Sequence, residues 1–491
     1  MKKFVRRLAW MEAVLILLAS AVSCSEDGEN LDTESTSPVL SEETSTHEEA
    51  TLDERLVPGL EIRNLDGTTF RIFGPKDTGE DWQLHDMAAE EMNGEVLNDE
   101  IYKRNDFLTE TYDFNIELPD PAGASLASLI TAGDTTYNAH AINAAGSVPL
   151  AADGMLLNLK SLPYIDLTQP YWSQTLTSPL SIAGRTYMAT GDITVVPKEG
   201  VRAFYFNKDL LKDYHLDSPY ELVREGRWTV DTMFSMMEAA TTDLDGNGVM
   251  DKHDRYGFIG QTFMGIVLYQ GSGESFASKD ENDLYTITVE NERSVSALID
   301  ITALMAQEKN NIYMTDDWQW LLSMFENDQG LFYTEVMRHI ETMRGYDVVF
   351  GIIPTPKYDE AQENYSHYLD RGCNLFYSLP ITAIDPDTDA YILEVIAAAS
   401  RHYVTPAYYD VCLKSKYTRD EESSEMLDII FSTYHLELAE VYGWGNMVSA
   451  LNDCMNNNGN VSSRLKALHK VTAKHLKKTI ESYQDNDTWN Q

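Results

Sequence analysis

The chain has 491 residues, with 79 Asp and Glu against 37 Lys and Arg, a formal net charge of -42. That balance argues against nucleic acid or an anionic membrane as a partner of the folded body. The four cysteines, Cys24, Cys373, Cys412 and Cys454, show no C-x-x-C spacing, which speaks against a zinc ribbon or a thiol redox site. Beyond Cys24 they read as buried free thiols, with a Cys412–Cys454 bridge as the alternative.

Residues 1–23 read as a secretion signal. Lys2, Lys3, Arg6 and Arg7 form a positive start, and Ala13 to Val22 is an apolar run of ten residues. A bilayer span needs about 20. Ala21-Val22-Ser23-Cys24 resembles a bacterial lipobox in which Cys24 becomes the lipidated first residue, a palmitate carrier; Ala21 stands where Leu is more usual. Ordinary cleavage near Ser23 is the competing reading. Residues 24–56 then read as a disordered acidic tether. Eleven acids fall between Ser25 and Arg55 with almost no large apolar side chain, too little to offset the entropy of ordering.

In the body, Thr68 to Gly74 alternates like a strand. Leu97, Ile101, Leu108 and Tyr112 mark one face of a helix. Phe114 to Leu118 predicts a strand, Leu126 to Thr131 a helix and Tyr137 to Ala144 a strand. Strand alternating with helix predicts a doubly wound α/β lobe. Val201 to Phe206 predicts another strand, and Thr229 caps a helix carrying Met233, Met237 and Ala240 on one face.

The stretch Asp243 to Asp254 matches a twelve-residue calcium loop. Asp243, Asp245, Asn247, Asp251 and Asp254 supply side-chain oxygens at positions 1, 3, 5, 9 and 12. Gly248 sits at the sharp turn of position 6, and Val249 offers its carbonyl at position 7. A hard cation wants such an all-oxygen set. Asp254 replaces the longer Glu, which points to weak structural Ca2+; an acidic, Gly-rich surface turn is the plainer alternative. Strands follow at Tyr256 to Gly260, Gly330 to Thr334 and Val348 to Ile353, with a helix at Ser294 to Gln307. From Thr388 the chain is mostly helical. Its last helix, Ser462 to Tyr483, bears a basic face expected to be solvated.

Five motifs then fall in one order: Phe206-Asn-Lys-Asp-Leu210, Gly226-Arg-Trp-Thr229, Tyr256-Gly-Phe258, Phe325 with Gly330-Leu-Phe332, and Phe350-Gly-Ile-Ile-Pro-Thr-Pro356. Together they resemble the extracellular solute-binding proteins of family 1, the sugar-binding lipoproteins of bacterial ABC importers, similar to maltose-binding protein. The resemblance implies an α/β, two-lobe, periplasmic-binding-protein-like type II fold with discontinuous lobes, a hinge and a helical C-terminal part. It places the first lobe at 57–195 and the second, with the loop 243–254, at 196–330. Residues 331–491 would return to the first lobe, make the second hinge crossing and supply the C-terminal helices. The implied function is capture of a carbohydrate, an oligosaccharide by preference, between the lobes. Delivery to a membrane permease would follow, from a lipid-anchored monomer on the outer face of the cytoplasmic membrane, with the anchor as its membrane contact.

A sugar needs an aromatic platform and polar groups in the plane of its ring. Trp82, Trp172 and Trp444 are candidate platforms, while Trp228, Trp318 and Trp320 read as packing. By the family pattern the loop Asn143 to Ser147 faces ligand, making Asn143 and Ser147 candidates. Asp192 and Glu199 flank the expected crossing. Glu335 and Arg338 follow a strand where relatives place a stacking aromatic; no Trp stands there, so the flat Arg338 guanidinium is the substitute. The chain has no H-E-x-x-H, G-x-S-x-G or P-loop, so no catalytic residue is assigned and a binder is expected. The alternatives are an extracellular glycan-hydrolase lipoprotein, because chance carboxylate pairs are inevitable among so many acids, and a surface adhesion lipoprotein.

Overall fold

Short apolar strands separated by amphipathic helices build two distinct sheets. The computed structural model describes residues 53–74, 81–417 and 420–486. The signal segment, Cys24 and the tether up to residue 52 lie outside the described residues, as do the side chains of Trp82 and Cys412. The strands in chain order are β1 (Thr68–Phe73), β2 (Phe114–Glu117), β3 (Ala139–Ile142), β4 (Arg202–Asn207), β5 (Tyr256–Gly260), β6 (Ala277–Lys279) and β7 (Tyr285–Ile287). They continue as β8 (Ile312–Met314), β9 (Gly330–Val336), β10 (Phe350–Ile353), β11 (His367–Tyr368), β12 (Phe376–Ser378) and β13 (Tyr434–His435).

The first sheet has four strands in the order β12-β3-β1-β2. β1 runs parallel to both β2 and β3, as the predicted strand–helix alternation requires, and β12 joins antiparallel on β3. The second sheet has five strands in the order β10-β4-β9-β5-β8, with β4 antiparallel to β9 and β10. Every residue of β4 and β9 is buried. Their apolar stretches, Ala203 to Phe206 and Gly330 to Tyr333, are what a strand covered on both faces demands. β6 and β7 form a hairpin, and β11 pairs with β13.

Local signals land where expected. The helix Val230–Ala240 is capped by Thr229, whose hydroxyl accepts from the Thr232 amide, and it buries Met233, Met237 and Ala240. Trp228 is structural: its Nε1 donates to the Pro354 carbonyl at 2.9 Å from a fully buried ring. Cys373 and Cys454 carry free thiols.

The lobe boundaries differ from the expectation that residues 331–491 return to the first lobe. β9 and β10 both belong to the second sheet, and the chain re-enters the first sheet only at β12. The reason is pairing. β4 is flanked by β9 and β10, so the second sheet closes before the chain leaves it. Two crossings lie side by side here. The bridge Val201↔Leu369 joins them, and Gly200 packs so closely that a Cβ would fall 1.7 Å from the Cys373 carbonyl oxygen. A later excursion sends the helix Glu421–Ser432 back to the second sheet, where Tyr220 meets Ser423 at 2.8 Å. The helix Val461–Asp485 then packs on both Ala144–Ala152 and Glu292–Gln307, and the helix Met447–Asn456 packs on Glu292–Gln307.

Candidate functional site

In open α/β sheets the loops that bind ligands gather at the carboxyl ends of strands. Here the end of β9 runs into Met337–His339 and the helix Ile340–Met343. That segment faces the start of the helix Val96–Tyr112. Between them lies a cavity of about 550 Å³, lined by Leu97, Asn98 and Ile101 on one side and Met337 to Thr342 on the other, with His85, Glu95, Glu199, Trp318 and Tyr408 around them. Its walls come from the helix between β1 and β2 and from segments that flank β9, so it is an interlobe cleft between helices and turns that serve the two different sheets.

The aromatic platform of this cleft is Trp318. Its indole stacks on His339 with ring centroids 4.6 Å apart at 13°, and the residue is 41% exposed. His339 backs one face, and an apolar ring surface remains for the C–H face of a sugar. Sequence reasoning assigned Trp318 to packing. The helix Trp318–Glu326 buries Leu321, Leu322 and Phe325, which share a helical face with position 318. Periodicity therefore groups Trp318 with the core. Only its place in the first helical turn carries it past the packed layer.

Behind the cleft lies a buried charge network. Arg202 bonds Asp370 through Nη2 at 2.9 Å and Nε at 3.1 Å, Gln261 at 2.6 Å and Glu335 at 3.4 Å. Glu335 also accepts from the Tyr333 hydroxyl at 2.9 Å and the Val336 amide at 2.8 Å. Burial alone would push the Glu335 carboxyl up, but Arg202, then His339, outweigh it and hold the group below its ordinary value. Since β4, β9 and the crossing at Asp370 each supply one member, the network joins the second sheet to the hinge.

The predicted residues divide. Glu199 and Arg338 line the cleft, and Glu199 pairs with His85 at 3.2 Å. Glu335 sits one layer behind it, occupied by Arg202. Asp192 lies at a separate small cavity of about 180 Å³, held by Arg401 at 3.0 Å and Lys198 at 3.6 Å. Asn143 is an N-cap, its Oδ1 accepting from the Gly146 amide at 2.8 Å, and buried Ser147 bonds back to the Asn143 carbonyl. Both positions are spent on starting the helix Ala144–Ala152.

Trp172 and Trp444 are corrected outright: both are core side chains. Trp172 is 2% exposed and donates to Glu394 at 2.8 Å. Trp444 is 0% exposed, stacks on Tyr442 and donates to Thr479 at 3.0 Å. Flanking glycines expose a backbone, not a ring; Gly443 and Gly445 adopt positive φ so that the chain can turn into the Thr472 helix face. Trp82 lies on the short turn Asp81–Leu84, with its side chain outside the described residues.

The loop 243–254 is built from its own hydrogen bonds. Asp243 accepts from the Gly246 and Gly248 amides, both at 2.7 Å, Asn247 from Val249 at 2.7 Å, and Asp251 from His253 at 2.9 Å. Gly248 takes φ +82°, which the turn at position 6 requires. Asp254 is fully buried and accepts from Leu244 and Asp251, both at 2.8 Å. Carboxylate oxygens of Asp243, Asp245 and Asp254 come within 4.8 Å of one another. An all-oxygen donor set converging this closely suits a hard divalent cation. The bridge Thr242↔Arg255 closes the loop between the helix Val230–Ala240 and β5.

The chain builds two α/β sheets, visits each more than once and leaves a cleft beside the crossings. No family model matches the sequence, and no curated protein matches it. Solved structures do. An ABC substrate-binding protein of Listeria monocytogenes, determined with cycloalternan, aligns with a TM-score of 0.51 at 12% identity, covering 84% of this chain and 99% of its own. UspC of M. tuberculosis aligns at 0.53 and 12% identity, over 83% of this chain and all of its own. A sugar transporter protein of Rhizobium etli in an open conformation aligns at 0.51 and 13% identity, over 84% and 99%. At these identities the likeness establishes the fold: a periplasmic-binding-protein-like α/β architecture with a helical C-terminal part.

Proposed function

We propose that the protein is a lipid-anchored solute-binding protein of an ABC importer that captures a carbohydrate between its lobes and delivers it to a permease. The observation that carries this reading is the cleft itself. A half-exposed indole backed by His339 lines the same cavity as Glu199, His85 and Asn98, which is the combination a sugar ring demands. The sugar-binding descriptions of the matched structures support the choice of ligand.

In this reading the lobes close on the ligand by rotation about the paired crossings at Gly200 and Cys373, and the closed form is what the permease reads. Cys24, lipidated after removal of residues 1–23, holds the body outside the membrane on the tether. The loop 243–254 binds calcium as a fixed clip, away from the sugar. The residues around the cleft bind and orient; no reaction is assigned to them.

A thermal-shift panel of mono- and oligosaccharides tests the proposal. A carbohydrate that raises the melting temperature and compacts the protein in small-angle scattering supports it, since a ligand of the native state must stabilise that state. Binding without compaction defeats the hinge mechanism. Release of shortened products from the same incubation defeats the binder reading in favour of a hydrolase.

A further inference from the structure

The helix Val461–Asp485 reverses the sign of the chain. It carries six Lys and Arg against Glu481 and Asp485, a net of four positive charges in a protein whose formal charge is -42. Its buried side, with Leu465, Leu468, Thr472 and Leu476, seats the helix on Ala144–Ala152 and Glu292–Gln307. Two further contacts hold its last turns. Tyr483 meets Tyr187 edge-on with centroids 5.0 Å apart, and Thr479 accepts from the Trp444 indole at 3.0 Å. The opposite side is a row of lysines. Lys466, Lys470, Lys474 and Lys478 recur every four residues, Lys477 lies beside them, and all five are exposed.

The row lacks carboxylates. Among the described residues Lys466, Lys470, Lys474 and Lys478 make no ion pair, and Lys477 meets Glu481 of its own helix at 3.4 Å. The chain has more than twice as many acids as bases, so a surface lysine readily finds a partner, and four in line without one are unusual. The bases at the edge of the row are engaged: His469 with Glu290 at 2.8 Å and Arg464 with the Ala450 carbonyl at 3.3 Å. Between the lysines Ala467 and Val471 are exposed, Val471 to 39%. Long lysine stems around small apolar residues suit a boundary that is anionic at its surface and apolar just beneath, as a phospholipid headgroup layer is. A straight helix about 37 Å long presents that row to a plane rather than to a pocket.

The net charge of the whole chain does not forbid this. A helix with its side chains is about 10–12 Å across, and charges are screened over about 8–10 Å at ordinary salt. A surface touching the outer face of this helix therefore meets the lysines at full strength and the acidic body behind them only weakly. We propose that the outer face of the helix Val461–Asp485 docks on a bilayer rich in anionic phospholipid, as a membrane contact of the folded body separate from any lipid anchor. Because the helix is seated on elements of both lobes, this contact lays the body against the membrane along its C-terminal helix. Each lysine brought to an anionic surface is worth about fivefold in partition.

The test is co-sedimentation of the unlipidated chain from residue 24 on, which keeps every described residue, with vesicles of equal parts phosphatidylglycerol and phosphatidylcholine, and with phosphatidylcholine alone. It needs neither a saccharide nor the anchor, so its outcome is independent of the carbohydrate reading. The parent should bind the anionic vesicles and not the neutral ones. Raising the salt from about 0.1 M to about 1 M should release it. Lys470→Glu with Lys474→Glu should lower the partition coefficient at least about tenfold. Lys212→Glu with Lys309→Glu changes the net charge equally at two exposed lysines elsewhere, and should change binding less than about twofold. Both variants alter exposed side chains and should melt with the parent. Equal loss in the two variants overturns the docking face, as does binding that the first variant leaves intact. Failure of the parent to bind anionic vesicles, with capture of polyglutamate that the first variant abolishes, overturns it in favour of an acidic protein partner.

Discussion

The loop 243–254 and the interlobe cleft are the two candidate ligand regions, and they are assembled in opposite ways. In the loop nearly every contact joins residues two to five positions apart, such as Asp243 with Gly248 and Asn247 with Val249. In the cleft Glu199 and Arg338 come from distant parts of the chain, and the Arg202 network behind them reaches across 168 residues to Asp370. A site made of near neighbours survives as a pattern in the sequence. One made by crossings does not, because its geometry exists only once both sheets are folded.

The sharpest way to break the comparison is Arg202→Ala. Removing one member of a buried charge network leaves Glu335 and Asp370 uncompensated and should cost about 3–5 kcal/mol in urea unfolding. A loss below about 1 kcal/mol would show that the cleft does not depend on this long-range network.

Two aspartates sharpen the contrast further. The Gly248 amide, within the loop, leads the contacts that hold the Asp243 carboxyl below its ordinary value. Burial pushes Asp389, on the helix Pro386–His402, up to about 7, against a hydrogen bond from Asn138. A carboxyl raised in the folded state binds protons more readily there than when unfolded. Its stabilising share is therefore present below about pH 4 and is lost as pH rises towards 7. Asp389→Asn removes that loss. Relative to the parent, its stability should rise between pH 4 and 8, by at most about 4 kcal/mol, measured as unfolding free energy against pH. A flat difference would mean the parent's Asp389 ionises freely.

Calcium gives a smaller effect. With the ion at about 100 times its dissociation constant the gain is about 2.7 kcal/mol. Millimolar calcium should raise the parent's melting temperature by several degrees, leave Asp245→Ala unmoved, and change sugar affinity in neither. An equal shift in both proteins would refute a site at the loop. The smallest effect concerns Trp318→Ala. Loss of an aromatic platform should weaken saccharide binding by about 0.5–1.5 kcal/mol with an unchanged melting temperature, read by calorimetry. A fall in stability without a change in affinity would return Trp318 to the packing role its periodicity suggests.

Much of the fold was legible because it depends on local patterns. The strands β1 to β5, the cap at Thr229 and the structural role of Trp228 each follow from residues within a few positions. The candidate site was legible only in part. Glu199 and Arg338 reached the cleft, whereas Trp172 and Trp444 went to the core, because an aromatic in a loop looks the same in sequence whichever way it turns. Trp318 was hidden by sharing the apolar face of its own helix.

By itself, then, the sequence determined the alternation of strand and helix and the twelve-residue oxygen loop, since both are set by backbone geometry and neighbours in the chain. Only the tertiary structure decided where the lobes divide, that β9 and β10 flank β4 before the chain returns at β12, and which rings face the cleft. Those outcomes depend on which distant strands pair and how helix ends overhang the packed layers, and no local spacing encodes either.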